Sequence, residues 1–192
     1  MAKFIIASRS PRRAALLKQI GVDFEVVNSG VDESAVAKAS PPVYVKKLAR
    51  LKAGAVAKIR NDCIIIGADT MVVIDGQMVG KPKDNEDALA TLKALNGRVH
   101  KVVTGICVIN KYSGKTATRS VTTRVKFRNL CDSAINWYVE TGEPLGKAGS
   151  YGIQDKGALL VEWVRGDFYN VVGLPLVTLS SMLEDMDVRL TG

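Results

Sequence analysis

Within Ser8-Arg9-Ser10-Pro11-Arg12-Arg13, two hydroxyls and three cations surround a proline. Ser10 followed by Pro11 reads as the start of a helix, with Ser10 as N-cap and Pro11 at the first helical position. The free backbone N–H groups and positive dipole end of such a start attract anions, phosphate among them, and Ser8 and Ser10 add hydroxyl donors. Cations in a first helical turn cost roughly 0.3–1 kcal/mol each, so Arg12 and Arg13 together point to a bound anion that compensates. The competing reading makes both of them solvated surface arginines. The glycines of a Walker or Rossmann loop are absent.

Asp69 follows the run Ile64-Ile65-Ile66-Gly67-Ala68. That places a carboxylate at the carboxyl end of a core strand, where α/β proteins commonly build their sites. It suits a general base or a metal ligand; alternatively it only organises the turn into Met71. Glu33, in the loop pair Asp32-Glu33, reads most simply as a solvated acid. Lys52 lies three or four positions from Leu48 and Ala49 and seven from Val45, on the apolar stripe of its helix, whereas Lys46, Lys47 and Arg50 fall on an ordinary solvated face. Lys52 either snorkels to water or reaches an anion. Lys81, between Gly80 and Pro82, sits on a stiff turn and could act as a second phosphate clamp. The glycine-dense stretch Gly146 to Gln154 suits a backbone close to a ligand or a plain surface loop. His100 is the only histidine, which excludes a Ser-His-Asp triad on any other histidine and a His-rich zinc site.

The elements that must position these residues alternate between strand and helix patterns. Lys3 to Ala7 reads as a buried strand, followed by the helix from Pro11 that Gly21 ends. Asp23 to Asn28 alternates as a strand, and a helix capped by Ser40 runs from Pro41 to about Arg60. Cys63 to Ala68 predicts a strand covered on both faces, and Met71 to Ile74 with Met78-Val79 predicts a hairpin around Asp75-Gly76. Asp84 caps a helix ending before Gly97, and a long hairpin, Val99 to Asn110 and Lys115 to Phe127, turns at Ser113-Gly114. Asp132 caps a helix ending at Gly142, Ala158 to Val164 forms a strand, and Pro175 opens the last helix, with Gly166 to Pro175 as structural support before it. The class is α/β with a mixed sheet.

With 47% apolar and 24% charged residues the chain has the composition of a folded globular domain. Its apolar runs are far shorter than the roughly 20 residues of a membrane span or the core of a signal peptide. A formal charge of +8 favours anionic partners. A nucleic-acid partner gains nothing further, since aromatic residues make up only 6% and no RNA or DNA motif is present. Three cysteines without CxxC spacing fit a reducing cytoplasm better than a disulfide or zinc framework.

In chain order, Ser8-x-Ser10-Pro11-Arg12-Arg13, Leu48-Ala49-x-x-Lys52-Ala53, Gly67-Ala68-Asp69-Thr70, Gly80-Lys81-Pro82, Lys147-Ala148-Gly149-x-Tyr151-x-Ile153-Gln154 and Val171-Val172-Gly173-Leu174-Pro175 resemble the motifs of the Maf family of nucleotide pyrophosphatases. The match runs from Ala7 to Pro175. It implies an inosine-triphosphatase-like fold of the Maf and Ham1 type, an elongated mixed sheet with flanking helices, as one domain over residues 1–192 with two lobes around a central cleft.

By the same resemblance Asp69 is the proton acceptor, and Ser8, Arg12, Arg13, Glu33, Lys52 and Lys81 are phosphate- and metal-site groups, with Glu33 and Asp69 holding Mg²⁺ or Mn²⁺. Arg12, Thr70 and Gln154 occupy specificity positions; the branch acting on 7-methyl-GTP typically has Trp, Gln and Glu there, and Arg, Thr and Gln resemble the dTTP/UTP branch. Gly146, where Asp usually stands, and Asp155, where Gly usually stands, depart from the pattern. The implied activity is a cytoplasmic pyrophosphatase converting dTTP and UTP to the monophosphate and pyrophosphate, without nucleic-acid or membrane partners and compatible with a homodimer. The alternatives are a pyrophosphatase for 7-methyl-GTP or other modified nucleotides and a non-catalytic nucleotide-binding regulator of septum formation.

Overall fold

The computed structural model describes residues 2–37 and 39–190. Met1, Lys38, Thr191 and Gly192, included in the single-domain expectation, lie outside the described residues. The strands are β1 (Phe4–Ile6), β2 (Phe24–Val26), β3 (Ile64–Ile74), β4 (Gln77–Val79), β5 (Val99–Asn110), β6 (Thr116–Phe127) and β7 (Val161–Arg165). The helices are α1 (Pro11–Gln19), α2 (Pro41–Ala57), α3 (Asn85–Leu95), α4 (Asp132–Glu140), α5 (Phe168–Val172) and α6 (Leu176–Glu184). They form one seven-stranded sheet of order β2-β1-β3-β5-β6-β7, with β4 paired to β3 off this path. The sheet is mixed, as expected: β1 pairs in parallel with β2 and β3, while β3–β4 and β6–β7 are antiparallel.

The chain divides into two compact units, Met1–Asp69 with Thr104–Val121 and Gly173–Gly192, and Thr70–Val103 with Thr122–Val172. In the first, Ile5, Ala7, Ala49, Ala53, Val56, Cys63, Ile65 and Cys107 form a core from which water is excluded. The apolar stripe of α2 supplies three of those residues, which is why a helix of that pattern docks here. Two glycines let it dock closely. A Cβ on Gly67 would lie 2.3 Å from the Ala49 carbonyl oxygen and 2.9 Å from the Ala53 Cβ, and one on Gly105 would lie 2.4 Å from the Val45 carbonyl oxygen. Gly67→Ala is therefore expected to push α2 off β3 and to cost about 1–3 kcal/mol, the range for overpacking a filled core. A urea midpoint unchanged from that of the unmodified protein would show that the helix tolerates the methyl group.

In the second unit His100, Phe127 and Tyr151 meet edge to face, with centroids 4.8 to 5.4 Å apart. His100 Nε2 lies 2.8 Å from the Tyr151 hydroxyl. Burial lowers the His100 pKa from 6.5 to about 4. The unfolded chain thus holds an extra proton between these values, and stability present above pH 6.5 is lost as pH falls towards 4, by about 3 kcal/mol. His100→Leu is expected to flatten the dependence of the urea midpoint over this interval. Equal slopes for both proteins would remove His100 as its source.

Several boundaries differ from those the sequence predicts: β1 and β2 are shorter at both ends, Pro175 is the N-cap of α6 and not its first residue, and four others shift for a visible reason. The two strands expected at Cys63 to Ala68 and Met71 to Ile74 are one, β3, whose first part pairs with β1 (Phe4 opposite Ile64) and whose later part pairs with β4 (Val72 opposite Val79). α2 ends at Ala57 rather than near Arg60, where Lys111 Nζ donates to the Ala57 carbonyl at 3.1 Å. Cys131, not Asp132, is the N-cap of α4, and the Asp132 carboxylate pairs instead with Lys93 at 3.1 Å. β7 begins at Val161 instead of Ala158, because Lys156–Leu160 coil into a 3-10 turn. The five-residue helix α5 is too short for its periodicity to be read; its buried Asn170 donates to the Val102 carbonyl at 3.0 Å and to Thr123 Oγ1 at 2.9 Å.

Candidate active site

The first unit gathers Ser8, Arg13, Glu33, Lys52 and Asp69. Asp69 lies two residues beyond Gly67 on β3, and alternation along a strand puts both on one face. That face meets α2 where Gly67 admits the backbone of Ala49 and Ala53, the residues flanking Lys52. Lys52 Nζ consequently sits 2.6 Å from Asp69 Oδ1 and 2.8 Å from Glu33 Oε1. Lys52 and Asp69 are only 8% and 6% exposed. Lys52 does not snorkel: its ammonium pairs with two carboxylates, one buried and one, Glu33, 45% exposed. Glu33 is brought there by a 3-10 turn, Glu33–Ala35, whose cap Asp32 accepts from the Ser34 N–H. The expectation of a plain loop acid is thereby replaced by membership of a three-group ionic cluster. Asp69 is interior to β3 rather than at its carboxyl end, but it lies past the last residue that β1 pairs, Ile66.

Ser8 and Arg13 form the second half of the cluster. Arg13 is 8% exposed, not a surface arginine, and its Nε donates to the Gly173 carbonyl at 2.9 Å while Nη1 donates to Ser8 Oγ at 3.0 Å. Ser8 Oγ also accepts from the Ser10 N–H at 3.2 Å. With both lone pairs engaged, the Ser8 hydroxyl proton is left as a donor, the role an anion requires. Burial lowers the Arg13 pKa, Asp69 opposes this, and Arg12 adds to it; guanidinium nonetheless stays charged at neutral pH. Arg12 is half-buried next in the chain. Tyr44, which the sequence reading passed over, shares the stripe of Leu48 and Lys52 at helical spacing; burial raises its pKa, and Asp69 and Glu33 raise it further. Its spacing of eight from Lys52 was the available signal.

In the second unit, Thr70 is half-buried beside Asp69 in the chain, Lys81 is exposed in the Gly80-Lys81-Pro82 turn, and Gln154 is exposed. The Gly149 N–H donates to the Gly80 carbonyl at 2.9 Å, so the turn carrying Lys81 is joined to the glycine-dense loop. Gly149 has φ +71°, and a Cβ there would lie 2.5 Å from Val72 Cγ2. Lys147 Nζ donates to the Glu143 carbonyl. Gly146 has φ +73° with open space at its Cβ position, so glycine itself satisfies the backbone where the family pattern has Asp, and Asp155 has φ −102°, where no glycine is needed.

Residues 3–186 match the sequence model of the family described as Maf-like protein. The chain belongs to the Maf family. Similar Maf-family relatives include a dTTP/UTP pyrophosphatase of Dictyoglomus turgidum, 51% identical over 182 residues that make up 94% of each chain. One of the same name from Clostridium novyi is 49% identical, covering 98% of this chain and all of its own. Among solved structures, the Ham1 protein of Staphylococcus aureus superposes with a TM-score of 0.54 at 16% identity over 96% of this chain and 99% of its own. A HAM1 protein from Coxiella burnetii gives 0.51 at 11% identity over 96% and 100%. At these identities the likeness is one of fold, and it agrees with the expected Maf and Ham1 type.

No helix among the described residues is long and apolar enough to cross a membrane.

Proposed function

We propose that this Maf-family chain hydrolyses dTTP and UTP to the monophosphate and pyrophosphate, with Asp69 as the proton acceptor. The observation that carries the mechanism is the Asp69–Lys52–Glu33 cluster, whose carboxylates act on Arg13, itself bonded to Ser8 at the start of α1. The names of relatives about half identical over nearly the whole chain support the substrates. In the reaction a water oxygen bonds to the α-phosphorus, its bond to the bridging oxygen breaks, and the pyrophosphate departs with that electron pair. Asp69 orients the water and takes its proton. Ser8, Arg12, Arg13, Lys52 and Lys81 bind the triphosphate and offset its roughly four negative charges. Arg12, Thr70 and Gln154 select the base.

A divalent cation fits this chain. Two carboxylates converge on one ammonium position, and all-oxygen donors suit Mg²⁺ or Mn²⁺. Among the described residues no third acidic, His or Cys side chain joins them, so phosphate oxygens and water would complete the shell, as is usual for Mg²⁺. When bound by Glu33 and Asp69, the cation supplies charge neutralisation and polarises the phosphoryl oxygens. Glu33→Gln is expected to raise the metal concentration for half-maximal hydrolysis by about 10-fold or more. An unchanged titration would return Glu33 to the status of a loop acid. Cys63, Cys107 and Cys131 are free, which supports a reducing, cytoplasmic setting.

Pyrophosphate release from dTTP, UTP, CTP, ATP, GTP and 7-methyl-GTP, each with Mg²⁺ and Mn²⁺, tests the reading. The two expected substrates should lead. 7-Methyl-GTP outrunning both would overturn the branch, and no release from any would favour the nucleotide-binding regulator of septum formation.

A further inference from the structure

The loop that carries Gln154 is fastened on both sides of that residue by groups the mechanism does not use. The Gly152 N–H donates to the Tyr138 hydroxyl at 3.1 Å, and the Tyr138 hydroxyl donates to Glu143 Oε1 at 2.9 Å. The Gly157 N–H donates to the same Oε1 at 3.1 Å and the Lys156 N–H to Oε2 at 3.0 Å. The two ends also touch, since a Cβ on Gly157 would lie 2.2 Å from the Gly152 carbonyl oxygen and 2.8 Å from the Tyr138 hydroxyl. The result is a closed loop from Gly152 to Gly157. Within it Ile153 is buried at 8% exposure, and Gln154 is exposed.

Glu143 is itself held. Its N–H donates to Thr141 Oγ1 at 3.2 Å, and its carbonyl accepts from Lys147 Nζ. A would-be Cβ on Gly152 would meet the Lys147 stem at 2.8 Å, so the lysine packs along the loop's entry. Tyr138, on α4, is fully buried, which fixes the other post of the fastening. A side-chain amide recognises a base edge only if its orientation is fixed, because a rotated amide presents the opposite donor and acceptor pattern.

We propose that Glu143 and Tyr138 are positioning residues for base selection: by closing the loop from Gly152 to Gly157 they fix the backbone position from which the Gln154 amide reaches the O4 and N3–H edge of uracil and thymine. This rests on the function proposed above. Glu143 accepts three hydrogen bonds through its two carboxylate oxygens. In Glu143→Gln one oxygen becomes an NH₂ group that can only donate, so at least one loop N–H or the Tyr138 hydroxyl faces another donor.

Two readouts test the proposal. Amide hydrogen exchange over residues 152–157 should speed up by about 10-fold or more in Glu143→Gln, with the rest of the chain unchanged. The ratio of kcat/KM for dTTP over CTP should fall by about 10-fold in the same variant, largely through KM for dTTP. Gln154→Ala should abolish most of that ratio, and adding Glu143→Gln to it should change the ratio no further. Tyr138→Phe, which removes only the hydroxyl, should show the same pattern more weakly and decides the matter if Glu143→Gln fails to fold.

A uniform loss for dTTP and CTP, or losses that multiply with Gln154→Ala, would make Glu143 a general scaffold residue and overturn the proposal. Unchanged exchange in the loop would do the same. No preference for dTTP or UTP in the unmodified protein would sink the functional reading, whereas a preference that survives Glu143→Gln sinks this one alone.

Discussion

Asp69→Asn is expected to lower kcat for dTTP by roughly 10²-fold or more, with KM nearly unchanged. The amide keeps the shape of the carboxylate and an oxygen able to accept from Lys52 at the 2.6 Å position. It loses the capacity to take a proton from water and the negative charge offered to a divalent cation, so kcat is compared at saturating metal. The substitution also leaves the Lys52 ammonium with one carboxylate instead of two, so thermal melting should accompany the kinetics. A folded variant turning over within a few-fold of the unmodified protein would take Asp69 out of the proton transfer. A variant that is inactive because it is unfolded would be recognised by the melting curve.

Gln154→Glu should depress kcat/KM for dTTP and UTP by around 10-fold to 1,000-fold, the range when a polar edge built to be hydrogen-bonded is left unpaired. The glutamine amide offers one donor and one acceptor, which complement O4 and N3–H of uracil and thymine. A carboxylate can only accept, and it meets O4 with repulsion. Because Gln154 is exposed, the protein fold should be indifferent to the change. Loss of pyrimidine hydrolysis with an unaltered urea midpoint is the expected pair of results. Unimpaired turnover of both nucleotides would show that Gln154 does not read the base.

The sequence made the mixed α/β class readable because the strands and helices of this chain keep clean periods. The stripe of Val45, Leu48 and Ala49 predicts the buried face of α2, and Ile64 to Ile66 predicts a strand covered on both sides. The same periodicity placed Lys52 beside the core but left its destination open, since a helical period fixes a face and not the reach of a long side chain. Its two carboxylate partners depend on how closely α2 approaches β3, a distance set by Gly67 and invisible to local pattern. Glu33 reads as a solvated acid in the sequence because nothing in a three-residue 3-10 turn signals a distant lysine. Asp69 was assigned to a strand end because a change of partner along one strand, from β1 to β4, leaves no mark in the residues themselves. Glu143 and Tyr138 escaped notice for a related reason: most of their partners are main-chain N–H groups, which are the same whatever the residue.

The unit that holds Asp69 and Lys52 is assembled from three stretches of chain, the last of them beginning at Gly173, while the other unit is complete at Val172. During synthesis from the N-terminus, then, the unit begun first is the one finished last. Until the stretch from Gly173 emerges, Arg13 lacks the carbonyl that its Nε binds, and Leu179, Met182 and Leu183 are missing from the interior. Chains released early at the ribosome would carry a finished second unit joined to an open first one, with apolar surface exposed in the manner that invites aggregation. For this protein, loss of the C-terminal helix would therefore open the unit that holds Asp69 and Lys52, although α6 supplies none of the proposed site residues.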